Sequence, residues 1–296
     1  MHPGQLLQYF FAGITEGAIY AIIAIGFNII YNTTGIINFA QGEFLVLGAM
    51  IGTTLAGFLP LWLAIAAAVA LTMAVGALVD LVFIRWLARP SVLRLVIITI
   101  GVSILLREGM LHAWDEKVRA LRPFTGNEVS SVRILGAHIA PQALWVLGIA
   151  GVIVAALALF FRYTLAGRAM RACSANRLAA RLCGINTRAL VTLSFCLSAG
   201  IGALAGCALS PLTQTQYDMG ASLAIKGFTV AILGGLGNST AAVAAGLILG
   251  LLETFSVSLL PLAYKDAVSL AVLLVILFVR PGGLFGRREA QKLKEY

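Results

Sequence analysis

Charged residues are scarce in this chain, and acidic residues are the scarcest. Its 296 residues include 21 lysines and arginines but only 12 aspartates and glutamates, and the charged fraction is 11%. A soluble globular protein carries about 25% charged residues. Because 60% of the residues are hydrophobic, this shortage excludes an ordinary soluble domain and indicates a chain that crosses a membrane repeatedly.

Cysteine and histidine are too few and too scattered for the sites that they usually form. The four cysteines are Cys173, Cys183, Cys196 and Cys207, and their spacing matches no zinc motif. We therefore expect no metal site. We also expect no structural disulfide, because none of the four lies in a segment that we assign to the outside of the membrane. Residue pairs at catalytic spacing do not stand out either, which argues against an enzyme.

A nucleotide-binding motif is missing as well. The segment 234–240, GGLGNST, resembles a phosphate loop but lacks the Gly-Lys-Ser/Thr ending, whose lysine reaches the nucleotide phosphates. No other Walker A candidate occurs in the sequence. We therefore expect that this chain does not hydrolyse ATP and that it carries no cofactor.

Long apolar runs fill most of the chain and predict an all-α, polytopic transmembrane helical bundle that forms a single domain over residues 1–296. The run at 93–106 is shorter than the roughly 20 residues that a spanning helix needs. It must extend past Arg107 and Glu108, re-enter the membrane, or be sheltered by neighbours. We therefore predict eight or nine membrane segments. The nine runs are 6–31, 44–59, 61–84, 93–106, 143–161, 189–209, 221–236, 241–260 and 267–279.

The distribution of basic residues predicts the orientation. Positively charged loops stay in the cytoplasm, and three segments, 85–94, 162–188 and 280–296, hold fourteen of the 21 basic residues. Placing them inside puts the N-terminus outside and the C-terminus inside, with a cytoplasmic tail at 280–296. The polar segment 107–141 is then periplasmic. Because the basic residues lie between apolar spans, topology explains them and nucleic-acid binding is not expected.

The segment 162–188 is the most distinctive part of the chain. It carries six arginines and no acidic residue. Residues 166–180 are rich in alanine, leucine, arginine and methionine, which are good helix formers. We predict one or two short helices at the membrane surface, which would suit the binding of a soluble partner.

Four sequence blocks resemble the branched-chain amino acid permeases of ABC importers, in the Liv-type, LivH-like branch. LAARLCG at 178–184 is similar to the EAA-x-x-x-G loop of importer permeases, with Leu178 where that motif has glutamate. The other blocks are GAIYAI at 17–22, IINFAQGEF at 36–44 and ILGGLG at 232–237. Together they extend over most of the chain.

The resemblance implies a permease subunit of an ABC importer in the bacterial inner membrane, which moves branched-chain or other hydrophobic amino acids by alternating access. It implies four kinds of partner: a second related permease chain, two cytoplasmic ATPase subunits that bind the ATP, a periplasmic substrate-binding protein, and the lipid bilayer. It also assigns the arginine-rich loop to ATPase coupling. The candidate coupling residues are Gly167, Arg168, Arg171, Ala179, Ala180, Arg181 and Gly184.

Two breaks in the apolar pattern could line a substrate passage. Transporters often bind substrate where discontinuous helices expose their ends near the membrane midplane. The breaks fall at 32–43 and 234–240, and the alternative is that both simply form turns at the membrane edge. The candidate pathway residues are Asn38, Gln41, Glu43, Gly234, Gly235 and Gly237.

Three charged residues, Glu16, Lys226 and Glu253, lie within or at the ends of apolar runs. Charges in a membrane are costly, so they mark a pathway or pair with one another. Lys226 could pair with Glu253 across two helices. For Asp80, which is close to Arg85, we expect a structural role.

Two other functions stay open at this point. Sister permease families with similar loops serve urea and short amides. A stand-alone secondary transporter driven by an ion gradient would use Glu16 and Glu253 as ion sites, but it would leave the arginine-rich loop without a purpose.

Overall fold

The computed structural model describes residues 3–86, 91–127, 130–134, 137–261, 264–280 and 282–285, and 78% of it is helical. A π-helical turn, Asp80–Ile84, continues α3, and a small antiparallel hairpin joins α4 to α5. The helices are α1 Pro3–Thr34, α2 Gln41–Leu55, α3 Leu61–Val79, α4 Val92–Trp114, α5 Pro141–Tyr163, α6 Leu165–Ala175, α7 Arg177–Leu182, α8 Thr187–Thr213, α9 Gly220–Gly234, α10 Ser239–Ser256 and α11 Lys265–Val279; the strands are β1 Val132–Ile134 and β2 Ala137–Ile139.

Several of these helices are membrane spans by length and composition, which agrees with the predicted helical membrane protein. In the described part of the chain, five are long and apolar enough to cross a bilayer, and α9 is a shorter apolar helix. The five are Gly4–Thr34, Leu61–Ile84, Pro141–Tyr163, Thr187–Thr213 and Ser239–Ser256. The number of full crossings and the orientation stay predictions.

Helix α1 lies at the centre of the bundle. From Ala18 to Ile30 every residue is buried, because α1 packs against α5, α8, α9 and α10 along its length. The outer helices α3, α4, α5 and α11 instead expose many large apolar side chains, as expected of a surface that faces lipid.

Small residues allow the central helices to touch backbone to backbone. A Cβ atom added to Gly17 in α1 would lie 2.6 Å from the carbonyl oxygen of Gly246 in α10. Likewise, Gly48 in α2 packs against Ala203 in α8. Close contacts of this kind, through dispersion, hold helices together in lipid, where no hydrophobic force drives association.

Two short helices, α2 and α9, begin inside the bundle. Each has 15 residues and is therefore about 22 Å long, against a ~30 Å hydrocarbon core. Their N-termini meet, because Gly42 packs on the backbone carbonyl of Gly220. From there they run in opposite directions, α2 alongside α8 past Ala203, and α9 alongside α1 past Ile23.

The structure differs from the prediction at two segment boundaries. The short run at 93–106 belongs to α4, which continues past Arg107 and Glu108 to Trp114, the first of the three possibilities considered. The predicted polar segment 107–141 therefore begins inside a helix, and its remainder includes the β1–β2 hairpin.

The first helix also continues beyond its predicted end. The hydroxyl groups of Thr33 and Thr34 donate to carbonyls one turn earlier in α1. These bonds satisfy the polar side chains within the helix. The chain then turns at Gly35, whose φ of +75° suits glycine.

Candidate functional site

The arginine-rich loop folds into the two helices α6 and α7, within the predicted range of one or two. Each begins with a capping side chain: Thr164 Oγ1 accepts from the backbone N–H of Gly167 at 3.0 Å, and Asn176 Oδ1 accepts from that of Ala179 at 3.0 Å. Such caps satisfy N–H groups that a helix leaves unpaired at its start. Gly184, with a φ of +82°, follows the end of α7.

The loop has a buried side and an exposed side. Gly167 packs on the carbonyl of Phe160 in α5, and Met170, Cys173 and Ala180 are also buried. Burial raises the pKa of the Cys173 thiol, with Arg177 opposing it. This thiol is therefore protonated at neutral pH and a poor nucleophile.

The exposed side of the loop combines arginines with large leucines. Arg168, Arg171 and Arg181 are exposed, and so are Leu178 (68%) and Leu182 (82%). A partner surface with apolar and acidic groups would match this combination. We call the exposed side of α6 and α7 the arginine–leucine surface.

A chain of hydrogen bonds connects this loop to the centre of the bundle. Ser174 Oγ in α6 donates to Asn32 Oδ1 at 3.4 Å, and Asn32 Nδ2 donates to the carbonyl of Gly237 at 3.0 Å. The N–H of Gly237 donates in turn to Asn28 Oδ1 at 2.9 Å. The bonds link α6, the end of α1 and the α9–α10 turn.

The α9–α10 turn requires its glycines. Gly235 and Gly237 have φ values of +95° and +89°, and a Cβ on Gly237 would lie 2.6 Å from Asn32 Oδ1. Gly234 packs against the backbone of α10, and the N–H of Leu284, beyond α11, donates to the carbonyl of Leu233. The second predicted break therefore lies next to the arginine-rich loop.

A cavity of about 320 Å³ separates the end of α1 from α6 and α7. Its lining is mostly polar and includes Asn32, Thr34, Ser174, Asn176 and Arg177. The cavity lies beside the hydrogen bond from Ser174 to Asn32.

The later part of the first predicted break, from Asn38 to Glu43, lies deeper in the bundle. Asn38 Oδ1 accepts from the N–H of Ala40 at 3.1 Å, and Gln41 Nε2 donates to the carbonyl of Ser198 in α8 at 3.2 Å. Ser198 Oγ lies within hydrogen-bond distance of both Gln41 Oε1 and the carbonyl of Gly26 in α1, and it can donate its one proton to either. Asn38 and Gln41 are fully buried, and Gln41 attaches the start of α2 to α1 and α8.

Glu43 occupies the point where α2 and α9 meet. Its side chain is 1% exposed, and Oε1 accepts from Ser103 Oγ in α4 at 3.1 Å. Its other oxygen, Oε2, has no hydrogen-bond partner among the described residues. Gly220 faces this oxygen, since a Cβ there would lie 2.6 Å from it.

The intramembrane charges form a paired network. Lys226 Nζ lies 3.5 Å from Glu253 Oε2, as the sequence suggested, and 2.8 Å from Asp266 Oδ1. Lys265 Nζ lies 2.6 Å from Glu16 Oε2. The network joins α1, α9 and α10 to the start of α11.

Hydrogen bonds complete the surroundings of Glu253. Tyr20 Oη donates to Oε2 at 2.7 Å, and Ser269 Oγ in α11 donates to Oε1. Asp80, for which we expected a structural role, is buried and accepts from Thr192 in α8.

The structure thus separates the candidate pathway residues into two groups. Asn38, Gln41 and Glu43 lie at the start of α2, whereas the three glycines lie at the α9–α10 turn. Sequence reasoning did not select Asn28, Asn32, Ser198 or Gly220. The spacing of Asn28 and Asn32 could have indicated a shared polar contact, since two amides four residues apart lie on one face of a helix. Nothing in the sequence around Gly220 indicated its contact with Glu43.

Comparison with known proteins agrees with this architecture. Residues 9–277 match the family described as branched-chain amino acid transport system / permease component. The chain is 35% identical to the high-affinity branched-chain amino acid permease LivH of Escherichia coli, over 97% of each protein. It is 33% identical to BraD of Pseudomonas aeruginosa, over 97% of this chain and 98% of that protein.

A more distant relative is the probable branched-chain amino acid transport permease LivH of Methanocaldococcus jannaschii, at 27% identity over 92% of each protein. The matches extend through the central helices, the arginine-rich loop and the meeting point of α2 and α9. The chain therefore belongs to the family of branched-chain amino acid permeases.

Proposed function

We propose that this chain is a membrane-spanning permease subunit of an ABC importer for branched-chain or other hydrophobic amino acids. The observation that carries the proposal is the similarity to LivH of Escherichia coli over 97% of each protein. The permeases BraD and LivH belong to branched-chain amino acid transport systems, so the urea and amide reading is not favoured.

The arginine–leucine surface supports docking of ATPase subunits. It is exposed and basic, and Gly167 packs it against the end of α5. Two ATPase subunits would bind it and its counterpart on a second permease chain. ATP hydrolysis on those subunits then drives alternating access, and a periplasmic binding protein delivers the substrate.

The proposed orientation follows the basic loops. The N-terminus is outside, the segment 107–141 is periplasmic, and α6 and α7 face the cytoplasm of a bacterial cell. The predicted cytoplasmic tail at 280–296 lies largely outside the described residues. We keep eight or nine membrane segments, with α2 and α9 as partial crossings.

Purification in mild detergent, followed by mass spectrometry, tests this function. We expect the tagged chain to carry two Walker-containing ATPases and a second hydrophobic chain. Reconstituted with its binding protein, the complex should import leucine only when ATP is present. A chain that purifies alone and transports under an ion gradient would instead establish a secondary transporter.

A further inference from the structure

We propose that Glu43 and the N-terminus of α9 together form a transient binding site for a zwitterionic α-amino acid inside the permease. Glu43 accepts the ammonium group, and the first backbone N–H groups of α9 receive the carboxylate. The inference rests on the proposed function, because it describes the passage of that importer's substrate.

The carboxyl group of Glu43 has an unused acceptor. Oε2 has no partner among the described residues, and none of their basic groups lies within ion-pair distance of Glu43. A buried polar atom without a partner costs free energy. Such an atom in the interior of a transporter is suited to the reversible binding of a cationic group.

Capping of its own helix, α2, does not account for this side chain. Glu43 is at the third position of α2, where a glutamate can fold back onto the N–H of the N-cap residue. That residue is Ala40, and its N–H already donates to Asn38 Oδ1. Glu43 instead points away from its own helix, toward Ser103 and Gly220.

The start of α9 supplies the complementary half of the site. The first N–H groups of a helix have no partner within it, and Met219, the N-cap of α9, makes no side-chain cap bond. These groups carry the positive end of the helix dipole and favour an anion. Since a Cβ on Gly220 would lie 2.6 Å from Glu43 Oε2, acceptor and donors are adjacent.

The adjacent pair matches a zwitterion better than a singly charged molecule. An amine would bring no second anion to the N-terminus of α9 beside Glu43, and a carboxylic acid would face the carboxyl group of Glu43 without a cation between them. Arg107 and Asp218 act electrostatically on Glu43 from nearby. Two apolar side chains also adjoin the site, since Ala224 packs at Gly42 and Met219 packs on the core. They suit an aliphatic substrate side chain.

The site is closed in this structure, because Gly42 touches Gly220 and Glu43 is buried. It opens when α9 separates from α2. The α9–α10 turn is hydrogen-bonded to Asn32, which also contacts the arginine-rich loop, so motion of that loop reaches α9.

The test measures leucine binding to the whole importer complex in lipid nanodiscs, with the binding protein left out. We expect unlabelled leucine to displace radiolabelled leucine, while 3-methylbutylamine and 4-methylpentanoate, which each lack one charge, do not. Glu43→Gln should weaken binding about 30-fold. Gly220→Ala should also weaken it, since the added methyl group occupies the space between the two halves without changing any charge.

Glu108→Gln, the same exchange at an exposed position of α4, is the matched control and should bind leucine as the wild type does. Co-purification of the ATPases and the thermal midpoint report whether each variant folds. A wild-type complex that imports leucine but does not bind it, or variants that fold and bind normally, would overturn the site. A wild-type complex that imports no amino acid at all would instead refute the proposed function.

Discussion

Asn32 uses both ends of its side-chain amide. Nδ2 donates to the carbonyl of Gly237, and Oδ1 accepts from Ser174 of the arginine-rich loop. The three residues are far apart in the sequence, which gave no indication that they meet. Because the amide connects the loop with the α9–α10 turn, Asn32 is placed to transmit motion between them.

Asn32→Asp should uncouple the transporter. Aspartate keeps the size but cannot donate to the carbonyl of Gly237 when ionised, and a lost partner of this kind costs about 1–3 kcal/mol. We expect uptake by the reconstituted importer to fall by about tenfold while ATP hydrolysis continues. Asn127→Asp, in an exposed loop, is the control. Equal loss of hydrolysis and uptake would contradict a transmitting role.

Lys226 and Glu253 are opposite charges that lie together inside the bundle. Lys226→Met should lower the thermal midpoint, because it leaves the buried Glu253 without a cation. Glu253→Gln should lower it less, because Lys226 keeps Asp266 as an ion partner. We expect the double variant to lose less than the sum of the two single losses. Additive losses would show that the two groups do not interact, and a transport defect in folded Glu253→Gln would place that residue in the pathway.

At the scale of helices, the apolar pattern predicted most of the helices. It did not predict which helices contact one another. The run at 143–161 corresponds to α5, which has about two more residues at each end. A continuous apolar stretch between polar residues predicts the bounds of a membrane helix closely. The meeting of α2 and α9 depends on Gly42 and Gly220, which are distant in the chain. Their juxtaposition arises only when α1 and α8 hold both helices.

The two loop helices, α6 and α7, allow a direct test of where the ATPases dock. Replacing Arg171 and Arg181 with glutamate reverses two exposed charges on the arginine–leucine surface. If the ATPases dock there, co-purification should fall by about tenfold or more, because like charges across an interface cost several kcal/mol. Membrane insertion should be normal.

Arg122→Glu, at an exposed position in the predicted periplasmic segment, is the matched control for the charge reversal. Full ATPase recovery with the double arginine variant would exclude the arginine–leucine surface as the docking site.

Aromatic side chains cluster at one end of the molecule. The rings of Trp62, Phe124 and Trp145 form a cluster with centroid distances of 5.2 to 5.9 Å. Tryptophan is enriched at the edge of the bilayer. The cluster lies where α3 and α5 begin, at the end of the bundle opposite the arginine-rich loop; because both faces of a bilayer carry such aromatic residues, it does not distinguish inside from outside.

Cysteine labelling checks the proposed orientation. Cys183 is exposed on the loop, whereas Cys173 is buried and its pKa is raised by burial. A membrane-impermeant maleimide should therefore label Cys183, and it should do so in inside-out vesicles only. Cys183→Ser should remove the signal. Labelling confined to right-side-out vesicles would place the loop outside the cell and reverse the topology.

The short helices α2 and α9 also affect how the chain is made. A translocon releases segments that are long and apolar enough to stand alone in lipid, and neither of these 15-residue helices qualifies. Helix α2 leaves the ribosome well before α8, the helix that buries it. Biosynthesis must therefore shelter α2, with its buried glutamate, until more than a hundred further residues have been added.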